Sequence, residues 1–88
     1  IGLSRADFTR VLEIQRQRLQ RGRDKQDAVG INEALRGLRL TYMEMGRWMD
    51  ALEAARQIDV KATPGPTLAR DLLADAEIFA YLGRKEEA

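Results

Sequence analysis

Apolar residues in this chain recur at intervals of three and four, and alternation with polar residues never persists. That pattern predicts helices and no strands. Phe8, Val11, Leu12, Gln15 and Leu19 form a narrow stripe through a first helix at 4–21. Ser4 stands at its N-cap with Asp7 three residues on, a capping-box-like pair, and Gly22 lies where a left-handed C-cap would end it. A polar connection occupies 22–27. Ile31, Leu35, Leu38, Tyr42 and Met45 then repeat at i, i+4, i+7, the strongest periodic signal in the sequence, and predict a second helix over 27–45. Gly30 within it costs about 1 kcal/mol of helix propensity, which leaves room for a start as late as Gly30 itself. Gly46 breaks the pattern, and a third helix over 47–60 turns Trp48, Ala51, Leu52, Ala55 and Ile58 inward. Two prolines and a glycine make 61–66 a loop. The fourth helix, 67–82, aligns Leu68, Leu72, Ala76, Phe79 and Leu82, with Thr67 as cap and Asp71 in the first turn, where the helix dipole favours an anion. Gly83 ends it, and 84–88 begin a fifth helix.

The stretches 38–59 and 76–88 share one phrase. Tyr42 corresponds to Phe79, Gly46 to Gly83 and Ala51 to Ala88, each 37 residues apart (79 − 42, 83 − 46, 88 − 51). Self-similarity at such a period is a signature of stacked helical hairpins. The residues around Gly46 resemble the tetratricopeptide repeat. That family pairs two antiparallel helices, with large apolar residues and a terminal tyrosine in the first, a turn glycine, an aromatic and small alanines in the second, and a closing proline. Leu35, Leu38, Tyr42, Gly46, Trp48, Ala51 and Pro64 stand in those roles, the proline one residue late. Leu72, Ala76, Phe79, Gly83 and Ala88 supply a second set, and Phe8, Val11 and Leu12 match a second-helix position by register alone. Arg39 departs from the pattern where the family has a small residue, and Asp75 where it has a large apolar one. The spacings of about 40 and 37 also exceed the usual 34.

The resemblance implies one all-α domain over 1–88, antiparallel helical hairpins stacked as a right-handed solenoid, with about four helices and the start of a fifth. It also implies a job, protein–protein interaction or scaffolding. In such arrays the first helix of each pair lines a concave groove that takes a peptide or partner helix. The corresponding positions are Arg36, Leu40, Met43 and Glu44 on the second helix, and Arg70, Leu73, Glu77 and Tyr81 on the fourth. Their mix of arginines, acids and apolar side chains suits an amphipathic segment. Leu40 and Glu77 replace the asparagines that a chaperone-tail clamp requires. As a free groove charge, Arg36 is expected to tolerate reversal to glutamate without loss of stability.

Composition narrows the chemistry. The 88 residues are 44% apolar and 33% charged, which fits one folded domain and neither disorder nor a membrane protein. No apolar run approaches the roughly 18 residues of a spanning helix. Cysteine and histidine are absent, which removes disulfides, thiolate nucleophiles, imidazole bases and the usual zinc ligands. Ser4 is the sole serine and has no histidine base. The expectation is a cytoplasmic, non-enzymatic module without cofactor or metal. No initiating methionine is present and the second repeat breaks off at Ala88, which reads as a segment of a larger protein of bacterial regulatory type. The net charge of +1 is unevenly spread: seven Lys/Arg against four Asp/Glu make residues 1–30 +3, and eight against ten make the rest −2. Arg16, Arg18, Arg21, Arg23 and Lys25 therefore form an alternative basic patch for nucleic acid or an acidic surface, although no aromatic interleaves them for base stacking. A structural role, with self-association through an uncapped solenoid end, is the third reading.

Overall fold

The computed structural model describes residues 5–87, with side chains as far as Arg84. Four α-helices follow one another: α1 (Arg5–Asp24), α2 (Ala28–Glu44), α3 (Trp48–Arg56) and α4 (Gly65–Glu87). A 3-10 turn, Val60–Ala62, precedes the last, and the described residues contain no strand. The all-α reading holds. Ser4 and Ala88 lie outside the described residues.

α2 is the centre of the packing, with α1 on one side and α3 on the other; α4 then packs on α3. Leu12 and Leu19 of α1, Leu35, Leu38 and Tyr42 of α2, Ala51, Leu52 and Ala54 of α3, and Ile78 of α4 form one core. Ala51 and Ala54 are almost fully buried. Their small side chains let α3 lie close to both neighbours while the leucines and Tyr42 fill the space between.

The first turn departs from the sequence reading in an instructive way. Gly22 does not end α1, which continues to Asp24. It is buried, and a Cβ there would lie 3.0 Å from Ile31 Cγ1 and 3.1 Å from the Ile31 backbone nitrogen, so glycine serves the close approach of α1 and α2. The left-handed residue is Gln26, at φ 54°. Around it Asp27 N donates to Gly22 O (2.8 Å) and Gln26 N to Arg23 O (3.1 Å), the bond pair of a Schellman cap. Asp27 then caps α2 in turn, accepting from Gly30 N at 3.1 Å, so α2 starts at Ala28. Gln26→Gly is expected to raise stability by about 0.5–1 kcal/mol, the relief of Cβ strain less glycine's greater entropy loss. A urea midpoint that stays put or falls would show the left-handed cap to be unstrained.

Gly46 behaves as the sequence implies. At φ 76° it closes α2, with Arg47 N donating to Tyr42 O (2.8 Å) and Gly46 N to Met43 O (3.0 Å). Its counterpart Gly83 does not break α4, and no fifth helix begins at 84. A helical glycine costs about 1 kcal/mol, which α4 bears as it runs through Gly83 to Glu87.

α3 is shorter than the expected 47–60. Asn32, 1% exposed, donates from Nδ2 to Asp59 O (3.0 Å) and accepts from Asp59 N (2.8 Å), which takes that residue's backbone out of the helical ladder. At the other end, part of the expected loop is helical. Leu68 N donates to Pro64 O (2.8 Å), so Gly65 and Pro66 form the first turn of α4, where a missing N–H loses nothing. Thr67 is therefore not the cap, and Asp71 lies beyond the first turn.

Candidate protein-binding surface

A charged cluster fixes the relation of α2 to α4. Arg36 Nε donates to both carboxylate oxygens of Asp71 (3.0 and 3.2 Å), and its Nη2 donates to Asp71 Oδ2 (3.0 Å) and Thr63 Oγ1 (3.1 Å). Arg39 Nη1 donates to Asp71 Oδ1 at 2.9 Å. The Arg39 and Asp71 side chains are 11% and 8% exposed. Burial opposes ionisation of Asp71, but the bonds from Arg36 and Arg39, together with their charges, hold its carboxyl below the usual carboxylate value. Asp75 lies one turn on. Its Oδ1 is buried with no hydrogen-bond partner among the described residues. Burial pushes its carboxyl up, Arg39 draws it part of the way back, and the charge of Asp71 opposes ionisation further. Arg39 and Asp75, the two departures from the repeat pattern, thus meet in one place. They line a small cavity of about 60 Å³ with Asp71, Ala55, Ile58, Val60, Leu68 and the inner edge of Leu72.

This cluster rotates α4 away from the register read from apolar spacing. Asp71 and Ile78 are buried, while Leu72, Ala76 and Phe79 are exposed. Leu68 and Leu82 are partly buried, as the spacing implied. The helix turns about 100° per residue, so moving the buried position from Leu72 to Asp71 swings a whole apolar stripe out to solvent.

The proposed groove positions separate accordingly. Leu40 (56% exposed) and Glu44 on α2 are exposed, as are Arg70, Leu73 (72% exposed) and Glu77 on α4. Arg36 is not a free groove charge, because its guanidinium is committed to Asp71 and Thr63. Its reversal to glutamate would set a carboxylate against Asp71 and cannot leave stability unchanged. Met43 is partly buried and packs against the core. Tyr81 stacks face to face on Trp48, with ring centroids 4.1 Å apart and planes 5° from parallel, and the Arg84 guanidinium lies 5.3 Å from the centroid of its ring.

The basic run does not form one surface. Arg16 Nη2 donates to Tyr42 Oη (3.1 Å) and Arg23 Nη2 to Gln57 Oε1 (2.9 Å), on the side of α1 that faces its neighbours. Arg18, Arg21 and Lys25 line a separate cleft of roughly 310 Å³ that also contains Asp27 and Glu33. Among the described residues no group of three or more His, Cys, Asp or Glu is arranged to hold a metal, and no helix is long and apolar enough to cross a membrane.

Sequence reasoning missed Asn32, Asp71 and Ile78. A polar residue enters a core because of partners on other elements, and apolar periodicity carries no record of them. A usable signal was present all the same: two arginines three apart on α2 and two aspartates four apart on α4, both at helix-facing spacing. No family model matches the chain, and no curated protein or solved structure matches it significantly.

Proposed function

We propose that this chain is a protein-binding module of stacked helical hairpins in the manner of the tetratricopeptide repeat. Its exposed apolar positions on α2 and α4 take an amphipathic segment of a partner protein. The observation that carries this reading is the exposed apolar side of α4, where Leu72, Leu73 and Phe79 are 59%, 72% and 56% exposed and the exposed Ala69 and Ala76 lie between them. Scattered apolar side chains on a surface are ordinary, but a contiguous stripe along one helix marks an interaction site. Leu40 adds an exposed apolar position on α2, and Glu44, Arg70 and Glu77 supply a mixed-charge rim. The absence of cysteine and histidine fits a cytoplasmic adaptor whose work is recognition rather than chemistry. A segment of a larger regulatory or scaffold protein is the setting that agrees with the repeat pattern.

Affinity capture from lysate, comparing the wild-type chain with Leu40→Asp/Leu73→Asp, tests it. Both leucines are exposed, so helicity by circular dichroism should be retained. A protein captured by wild type should bind the variant at least tenfold more weakly when titrated as a purified partner. Identical capture lists would refute the reading. Retention of nucleic acid alone, with affinity falling steeply as salt rises, would transfer the function to the basic run of α1.

A further inference from the structure

We infer that the trough between α3 and α4 is a docking site for a lysine side chain of a partner protein, with its ammonium at Asp75 and its stem along the apolar walls. This rests on the reading of the chain as a protein-binding module and adds the chemistry of one contact. The residue that calls for an occupant is Asp75. Its Oδ1 is buried without a hydrogen bond, and its carboxylate forms no ion pair among the described residues. Both nearby arginines are committed elsewhere: Arg36 makes three of its bonds to Asp71, and Arg39 donates to Asp71 at 2.9 Å. Buried polar groups in folded proteins nearly always have a partner, so a carboxylate left without one at the edge of a cavity marks a place for a donor from outside the chain.

The surroundings specify the donor. The cavity of about 60 Å³ has Ala55, Ile58 and Val60 on one side and Leu68 and Leu72 on the other, with Asp75 and Arg39 beside them. Val60 and Leu72, each 59% exposed, stand where it meets solvent. Lysine combines a compact ammonium with a four-carbon apolar stem that lies along such walls. An arginine head is broad and planar, and in a space of that size it would meet the guanidinium of Arg39. A neutral donor would supply a hydrogen bond and leave the carboxylate charge uncompensated. The electrostatics agree. Burial, helped by the charge of Asp71, outweighs Arg39 and holds the Asp75 carboxyl above its usual value, as expected of an anion that its own chain compensates poorly.

Heteronuclear NMR titration of the purified chain decides it, using N-acetyl-lysine methylamide and the norleucine analogue that lacks only the ammonium. Capped lysine should bind with a dissociation constant on the order of 1 mM and shift the amides of Ala55, Ile58, Leu68, Leu72 and Asp75. Capped norleucine should bind about tenfold more weakly or worse. Asp75→Asn should abolish the difference and leave both ligands equally weak. Glu77→Gln, an exposed acid on the opposite side of α4, should change nothing. The lysine–norleucine comparison on wild type keeps the test sharp should Asp75→Asn fail to fold. Equal binding of the two ligands overturns the inference, as do shifts that map away from the trough or an equal loss in Glu77→Gln. A captured partner weakened by Leu40→Asp/Leu73→Asp and indifferent to Asp75→Asn would overturn the lysine site and leave the proposed function standing. Lysine selectivity at Asp75 with identical capture lists would do the reverse.

Discussion

Asp71→Ala will destabilise the fold by about 3–5 kcal/mol, measured as the loss of unfolding free energy in urea. The magnitude follows from what the substitution leaves behind. Arg39 is 9% exposed overall and loses its carboxylate partner, while Arg36 loses three of its four bonds. A buried charge without a partner retains the full cost of leaving water. Replacing both members of the buried pair, as Asp71→Leu/Arg39→Leu, is expected to recover most of the loss, because Arg36, with a side chain 20% exposed, can turn to solvent. Failure of the double variant to recover would show that the cluster orients α4 rather than merely satisfying itself. The pH dependence carries the same signature. The unfolded chain protonates Asp71 near the ordinary value of 3.8, and the folded chain only at lower pH. The stabilisation is therefore complete above that value and disappears as pH falls towards the folded one. Asp75 works in the opposite sense: its raised carboxyl costs stability above its folded value, and the cost disappears as pH falls below it. The acid loss due to Asp71 should be present in wild type and absent from Asp71→Ala.

Ile78→Ala and Phe79→Ala should differ by several kilocalories although the residues are neighbours. Ile78 is fully buried, and truncating a buried isoleucine costs about 2–5 kcal/mol in lost transfer energy and residual cavity. Phe79 is 56% exposed, so its removal should change stability by less than about 1 kcal/mol. Urea titration of both variants beside wild type measures the difference. Equal losses at both positions, or a larger loss at Phe79, would return α4 to the register that apolar spacing alone implies.

That register is where the sequence was least informative, for a definite physical reason. α4 is apolar on two faces. One, through Leu68, Leu72, Ala76 and Phe79, follows the helical period without interruption; the other contains Ile78 and Leu82 but is interrupted by Asp71 and Asp75. Ranked by hydrophobicity the first face wins. Arg36 and Arg39 reverse the ranking, because they can be buried beside α4 only where a carboxylate meets them. The same blindness applied to Arg36 as a groove residue: its sequence neighbourhood shows an ordinary exposed helix position, and Asp71 is 35 residues away. Leu40, Glu44, Arg70, Leu73 and Glu77 were legible as surface positions because each lies opposite strong apolar residues on its own helix.

Local sequence determined the things that depend on neighbours along the chain. The period of apolar residues fixed helices as the only regular structure, placed α1, α2 and α3, and marked Leu12, Leu35, Leu38, Tyr42, Ala51 and Leu52 as core. Gly46 fixed the reversal between α2 and α3, because a left-handed turn strains every residue with a Cβ. Tertiary structure alone decided the rest. Asn32 ended α3 by binding Asp59 across 27 residues, Ile31 reserved Gly22 for close packing and left the turn to Gln26, and two arginines set the rotation of α4. Those outcomes depend on desolvation and on hydrogen-bond partners that exist only after the helices have met, and that rotation is what leaves the apolar stripe of α4 facing outward.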